Sequence, residues 1–212
     1  MVGTERIAGF PTHVVRAGVG VRRVVFIHCT LGAAATWAKV QAALLTKLAM
    51  VAFDRPSHGE SADWNGDGGA AGLHTLTTQI AAGLIDGRAD IVGHSYGATV
   101  ALRLAQELPH RVRSLTLIEP PLFMLAKGTR AWDDHTAKMA TFDAALAAGE
   151  VARAAEMFQD AMNPDAPWDS LSDRARTRLV DQIARIGEER EVTEHDAPGL
   201  CAPGRLEDIT QP

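Results

Sequence analysis

The sequence predicts an α/β protein, in which a mostly parallel β-sheet is covered by helices on both faces and is followed by an all-helical cap. Over the first 120 residues or so, short apolar runs alternate with stretches of helical periodicity. This alternation is typical of a parallel sheet, since parallel strands need crossover connections and helices supply them. After Pro121 the apolar runs give way to helical spacing alone. The 212 residues suffice for one core with an added helical segment.

The predicted elements of the core follow one another in a regular order. The first strand covers 21–27, and its second half is continuously apolar, as in a strand buried on both faces. A helix then begins near Trp37, where apolar residues start to recur at helical spacing. The remaining elements are a strand at 50–53, a helix at 73–84 closed by Gly87, a strand at 89–92, a helix at 98–108 stopped by Pro109 and a strand at 114–118.

The region after Pro121 predicts a cap made only of helices. Helical patterns lie near 132–148, 151–162 and 171–186, and we interpret the charged stretch at 188–196 as a solvated helix end. We therefore divide the chain into three parts. These are the N-terminal part of an α/β core (1–121), a helical cap (122–200) and a segment that begins the return to the core (201–212).

Composition and charge limit the classes of function. The net charge is −5 and the basic residues are scattered, which argues against nucleic acid or an anionic membrane as a partner. The two cysteines, Cys29 and Cys201, have no metal-ligand spacing and indicate a reducing compartment. No apolar run reaches about 18 residues, the length that a membrane-spanning helix needs. We expect a cytoplasmic protein that acts on a small molecule and uses no cofactor or metal.

The pentapeptide 93–97, Gly-His-Ser-Tyr-Gly, is the most informative motif. It has the form G-x-S-x-G and lies between a predicted strand and a predicted helix. A serine on such a sharp turn is held in a strained conformation with its hydroxyl exposed, and the glycines let strand and helix approach closely. The alternative is a structural serine in a glycine-rich turn.

Two further segments accompany this motif. Residues 26–32, Phe-Ile-His-Cys-Thr-Leu-Gly, match the pattern H-G-x-x-G except at Cys29, and residues 54–61, Asp-Arg-Pro-Ser-His-Gly-Glu-Ser, are close to D-x-P-G-H-G-x-S. In this order and spacing, the three segments resemble the α/β-hydrolase family. The resemblance implies the α/β-hydrolase fold, Ser95 as nucleophile, and the backbone amides of Thr30 and Tyr96 as the oxyanion hole. Cys29 replaces the family's usual glycine and would restrict the backbone there.

A serine nucleophile also needs a base, and the base needs an orienting acid. The resemblance implies the chain order Ser, Asp or Glu, His. Downstream of Ser95 the histidines are His110, His135 and His195, and none has a context that favours a base. Glu119, at the end of the strand after the serine turn, is a candidate acid, although a structural turn residue is equally expected there. We interpret His28, His58 and His94 as supporting residues.

The last residues, 206–212, resemble the family's entry into its next core strand. We therefore expect a chain truncated before the last core strands, with the acid and histidine of the triad missing and little or no turnover. The exposed sheet edge would favour a homo-oligomer. The leading functional hypothesis is a serine hydrolase that acts on an ester, amide or similar small carbonyl substrate through an acyl-enzyme. The alternatives are a non-catalytic binding or scaffold protein on the same fold, and an acyltransferase or lyase.

Overall fold

A six-stranded sheet forms the centre of the protein in the computed structural model, which describes residues 1–212. The strands lie in the order β1-β2-β4-β3-β5-β6. The last four in this order are parallel to one another, whereas β1 and β2 are antiparallel to their neighbours. The strands are β1 (Val2–Ile7), β2 (Phe10–Ala17), β3 (Arg22–Ile27), β4 (Leu48–Phe53), β5 (Ala89–His94) and β6 (Val112–Ile118).

Seven α-helices connect and cover the strands. Short 3-10 turns add three further pieces, at Ala34–Trp37, Phe123–Ala126 and Trp168–Ser170. The α-helices are α1 (Ala38–Leu44), α2 (Gly69–Leu84), α3 (Tyr96–Glu107), α4 (Arg130–Ala147), α5 (Val151–Met162), α6 (Asp173–Gln182) and α7 (Ala184–Thr193).

The central strand β3 explains why both faces of the sheet are covered. Side chains alternate along a strand, so Val25 and Ile27 pack into the cluster that α2 and α3 cover. Val24 and Phe26 point the other way and pack with Trp37, next to α1. All four side chains are buried. The predicted fold class, a mostly parallel sheet with helices on both faces, is therefore confirmed.

The first two strands, β1 and β2, were not predicted from the sequence. β1 and β2 form an antiparallel hairpin around Ala8 and Gly9, both of which have positive φ. Most residues of β1 are exposed, and β2 carries Pro11, Thr12 and His13 among its apolar residues. Neither strand has the continuous apolar run that marked the parallel strands, so the pattern there was too weak to recognise.

Helices α4, α5 and α6, which fall in the segment predicted as a cap, pack mainly on one another, and the name cap is kept below for this segment (122–200). A separate apolar cluster lies between them and includes Met139, Phe142, Ala155 and Ile183. The predicted helix over 171–186 is in fact two helices that meet at Ile183.

Helix α7 corrects the prediction of a solvated helix end at 188–196. Glu189 and Glu194 are only 4% and 2% exposed. Val192 belongs to the core cluster, so α7 packs against the core as well as the cap. A charged stretch is usually solvated, but here two of its carboxylates are themselves buried and have partners, which are described below.

The C-terminal residues lie along the β6 edge. The amide of Leu115 in β6 donates to the carbonyl of Pro212 at 2.9 Å. The side-chain amide of Gln106 in α3 donates to the carbonyls of Leu200 and Arg205. Leu200 itself is fully buried. None of the helices combines the length and the apolar character needed to cross a membrane.

Candidate active site

Ser95 lies on the sharp turn between β5 and α3. Its backbone has φ 52° and ψ −123°, a region that residues with a side chain rarely adopt. The Ser95 amide donates to the carbonyl of Ile118, at the end of β6, at 2.8 Å, and its carbonyl accepts from Ala98 at 2.7 Å. These bonds hold the turn, and the Ser95 side chain lines a cavity beneath the cap.

The two glycines of the motif are required by close backbone contacts. A Cβ on Gly97 would lie 2.3 Å from the carbonyl oxygen of Ile27, and a Cβ on Gly93 would lie 2.3 Å from the carbonyl oxygen of Gly97. Real Cβ atoms essentially never come so close to backbone. The G-x-S-x-G pattern therefore reflects helix α3 packing directly against strands β3 and β5.

Two backbone amides near the serine are without partners in the protein. Thr30 follows β3 and Tyr96 begins α3, and neither amide donates a hydrogen bond within the chain. Thr30 lines the same cavity as Ser95. Cys29, which stands where glycine was expected, does not have positive φ; Leu31 does. The cysteine is thus accommodated without the backbone restriction that the sequence suggested.

The loop that begins at Asp54 supports the site structurally. The buried Asp54 carboxylate accepts from the amides of Ala34, at 2.6 Å, and Glu60, at 2.9 Å, and it pairs with His13 at 2.8 Å. Gly59 has φ 56°, and a Cβ there would lie 2.1 Å from the carboxylate. This explains the aspartate and the glycine of the second motif as parts that hold the loop against β2 and the segment after β3.

Arg55 is the next residue of this loop and carries a buried charge. Its guanidinium pairs with Glu189 of α7 at 2.7 Å, with side-chain exposures of 1% and 5%, and lies 4.3 Å from the centre of the Tyr96 ring. The Thr30 hydroxyl donates to the other oxygen of Glu189. Glu189 therefore links α7 to the two segments that flank the serine turn. This contact was not predicted from the sequence, although Glu189 lies at helical spacing from the buried Ile186 and Val192.

The cavity encloses about 210 Å³ between the serine turn and the cap. Ser95 and Thr30 line its floor, and helices of the cap supply an apolar wall. The apolar lining residues are Pro121, Phe123, Met139, Phe158, Met162 and Ile186. The polar lining residues on the cap side are His135, Asn163, Glu189, Arg190, Thr193 and Glu194.

His94 and Glu119 lie at the rim of this cavity. Nε2 of His94 is 3.4 Å from the Glu119 carboxylate, a long contact, and the Glu119 side chain is 82% exposed. A hydrogen bond to the Cys29 thiol raises the pKa of His94, burial opposes this, and Glu119 raises the pKa further. Glu119 also has positive φ, 49°. The candidate acid therefore contacts the residue before the serine and no other histidine.

His28 and His58 are buried beneath the site. Nε2 of His28 accepts from the Arg55 amide at 2.9 Å, and the His58 ring contacts the Arg55 guanidinium at 3.1 Å. Burial and the Arg55 charge lower the pKa of His28 strongly and that of His58 to about 2. Both rings are therefore neutral and act as hydrogen-bonding supports for the loop that carries Arg55.

The histidines after Ser95 have different locations. His110 and His195 are exposed. His135 of α4 lines the cavity, and its Nε2 lies 2.9 Å from the buried carboxylate of Glu194. Its position in the sequence gave no reason to favour it as a base. Its ring stacks on Phe123, with centroids 4.2 Å apart. No group of three or more His, Cys, Asp or Glu side chains is arranged to hold a metal ion.

A serine on a strained strand-to-helix turn, beside unpaired amides at the ends of parallel strands, defines a class of α/β protein. The comparison of sequences agrees with the geometry. The model of the alpha/beta hydrolase family matches residues 24–209, and the chain belongs to that family.

Individual relatives share part of the chain. It is 32% identical over 135 residues to lipase LipV of Mycobacterium tuberculosis, covering 62% of this chain and 49% of that one. It is 31% identical over 114 residues to the dihydrolipoyllysine-residue acetyltransferase component of the acetoin cleaving system of Cupriavidus necator, covering 54% of this chain and 30% of that one. The chain thus spans half or less of the length of these curated relatives.

Solved structures support the fold. Cfl2 of Burkholderia cenocepacia superposes with a TM-score of 0.71 at 18% identity, covering 98% of this chain and 76% of that one. An alpha/beta hydrolase of Sphaerobacter thermophilus gives a TM-score of 0.60 at 20% identity, covering 99% of this chain and 79% of that one. At these identities the likeness concerns the fold alone.

Proposed function

We propose that this protein is a serine hydrolase that forms an acyl-enzyme on Ser95 from an ester, amide or similar small carbonyl substrate. The observation that carries the proposal is the conformation of Ser95, with φ 52° on a turn that opens into the cavity. Backbone strain of this kind is costly and is concentrated at functional sites. A structural serine in a glycine-rich turn would not need it.

The amides of Thr30 and Tyr96 support the same proposal. Attack of the serine oxygen on a carbonyl carbon forms a new C–O bond and moves the carbonyl electrons onto oxygen, which becomes negative. Preorganised donors that face this charge lower the barrier, and one such donor is worth about 100-fold to 1,000-fold in kcat. Thr30 and Tyr96 are positioned on either side of the serine turn, and their amides have no competing partner.

The cavity favours a small substrate with an apolar acyl group. Its volume of about 210 Å³ is modest, and methionine, phenylalanine and isoleucine side chains line it on the cap side beside polar residues. Pockets for small molecules are mostly apolar with few polar groups that fix orientation. Esters with short apolar acyl chains match both properties.

Covalent capture of Ser95 tests this function. A fluorophosphonate probe should label the wild-type chain on the peptide that contains Ser95, and Ser95→Ala should abolish the label. Ser170→Ala changes an exposed serine in the cap and should label like the wild type. A wild-type chain that folds but stays unlabelled at Ser95 would exclude the proposal and favour a non-catalytic binding protein.

Acyl transfer to an acceptor other than water is a second candidate, because one of the curated relatives is named as an acetyltransferase component. The two functions share the acyl-enzyme and differ in what attacks it. The fraction of product that forms with an added thiol or alcohol, measured against the hydrolysis product, separates them. A hydrolase gives the acid at every acceptor concentration tested.

A further inference from the structure

We propose that Arg55, held by Glu189 of α7, is a positioning residue that directs the Thr30 amide into the cavity. This inference rests on the proposed function and identifies what holds one of its two oxyanion donors in place. Such donors lower a barrier only if they are fixed before the negative charge develops. The Thr30 amide has no partner of its own in the protein, so its direction must be set by other contacts of the same peptide group.

The peptide group between Cys29 and Thr30 is held by its carbonyl. The Cys29 carbonyl accepts from the Gly32 amide at 3.1 Å. Nδ1 of His28, at 2.7 Å, and Nη2 of Arg55, at 3.3 Å, donate to the same oxygen. The peptide is trans, so its N–H points opposite to its C=O. The Thr30 N–H therefore points away from the buried His28 and Arg55, and Thr30 lines the cavity.

His28 and Arg55 hold each other in this arrangement. Nε2 of His28 accepts from the Arg55 amide at 2.9 Å, so this ring, kept neutral by a strongly lowered pKa, carries its proton on Nδ1 and donates it to Cys29. Burial and the charge of Arg55 cause the lowered pKa. The same charge, next to the Cys29 carbonyl, polarises the peptide group, which makes its N–H a stronger donor.

Arg55 also contacts the residue of the second donor. Its guanidinium lies 4.3 Å from the centre of the Tyr96 ring. That ring is fully buried, and its hydroxyl has no hydrogen-bond partner in the protein. The ring is therefore held by packing and by the guanidinium, so one side chain contacts both segments that flank the serine turn.

Glu189 fixes Arg55 and Thr30 together. One of its oxygens accepts from Nη1 of Arg55 at 2.7 Å, and the other accepts from the Thr30 hydroxyl. The exposures of the Arg55 and Glu189 side chains are 1% and 5%, so the pair is shielded from solvent. The packing of α7 thus reaches the Thr30 peptide by two routes, through the guanidinium to the Cys29 carbonyl and through the Thr30 hydroxyl.

The rate at which a fluorophosphonate labels Ser95 in the full 212-residue chain separates positioning from stability. The double variant Arg55→Met, Glu189→Leu removes both charges, and apolar replacement of both partners of a buried pair is often neutral for stability. Its maximal labelling rate should nevertheless fall by about 10-fold to 100-fold, since a small misplacement of a reacting or stabilising group costs up to about 100-fold. The probe concentration that gives half of the maximal rate should stay within about twofold, because the lost interaction belongs to the transition state. Glu191→Gln, at an exposed position of α7, should match the wild type in both.

Thr30→Val and Thr30→Ser form a second test that leaves the ion pair intact. Both variants keep the backbone amide, but only the serine keeps the hydroxyl that donates to Glu189. Thr30→Val should therefore be labelled about 10-fold more slowly than Thr30→Ser.

Two results would overturn the inference and leave Ser95 as nucleophile. One is a folded double variant that is labelled at the wild-type rate, and the other is equal labelling of Thr30→Val and Thr30→Ser. Absence of label on the wild-type serine would overturn the proposed function and this inference together.

Discussion

The Arg55–Glu189 ion pair gives the most quantitative prediction for stability. Glu189→Gln removes a negative charge that is 5% exposed and leaves the Arg55 guanidinium, 1% exposed, without a counter-charge. Breaking a buried pair on one side costs about 3–5 kcal/mol. The remaining contacts of Arg55, to the Cys29 carbonyl at 3.3 Å and to His58 at 3.1 Å, are neutral and do not replace it.

Differential scanning calorimetry measures this effect. For a chain of this size, about 1 kcal/mol shifts Tm by about 2–4 °C, so Glu189→Gln should lower Tm by about 6–20 °C. Glu191→Gln, an exposed position on the same helix, should change Tm by less than about 2 °C. The double variant Arg55→Met, Glu189→Leu should recover most of the loss, because apolar replacements of both partners are often neutral. Equal effects of Glu189→Gln and Glu191→Gln would refute the reasoning.

Two further predictions concern the core. Gly97→Ala places a Cβ 2.3 Å from the Ile27 carbonyl oxygen, so it should lower the free energy of unfolding in urea by at least about 1–3 kcal/mol. Gly187→Ala, where a Cβ meets nothing within 4 Å, should leave that free energy unchanged or raise it, and equal effects of the two variants would contradict the packing argument. Burial, aided by the charge of Arg103, lowers the pKa of His74 from 6.5 to about 3. Between these pH values the His74 ring takes up a proton in the unfolded chain but not in the folded chain, so stability is lost as pH falls from about 6.5 towards 3. His74→Gln should reduce the slope of unfolding free energy against pH by about 1.4 kcal/mol per unit within this window; an unchanged slope would contradict it.

The parallel part of the fold was predictable because its strands are buried on both faces. Continuous apolar runs such as 24–27 can be recognised without knowing the neighbours, and the glycines at 93 and 97 mark a turn by their own conformational needs. The β1–β2 hairpin was not predictable in this way, because its residues are mostly exposed or polar and its pairing partner β4 lies some thirty residues further on.

The cap side of the site was hidden for a related reason. His135 and Glu194 are 59 positions apart in the sequence, and Arg55 and Glu189 are 134 positions apart. No local spacing of residues therefore predicts either pair. A charged residue at helical spacing from buried apolar residues predicts a buried partner of opposite charge, and Glu189 is such a residue. The partner itself follows only from the packing of α7 against the core.

Mass spectrometry of the chain during its reaction with p-nitrophenyl acetate tests whether Ser95 is the nucleophile. We expect a single acetyl group, located on the peptide that contains Ser95, which forms as p-nitrophenolate is released and is absent from Ser95→Ala. An acetyl group on another residue, or equal release of p-nitrophenolate by the wild type and by Ser95→Ala, would contradict it.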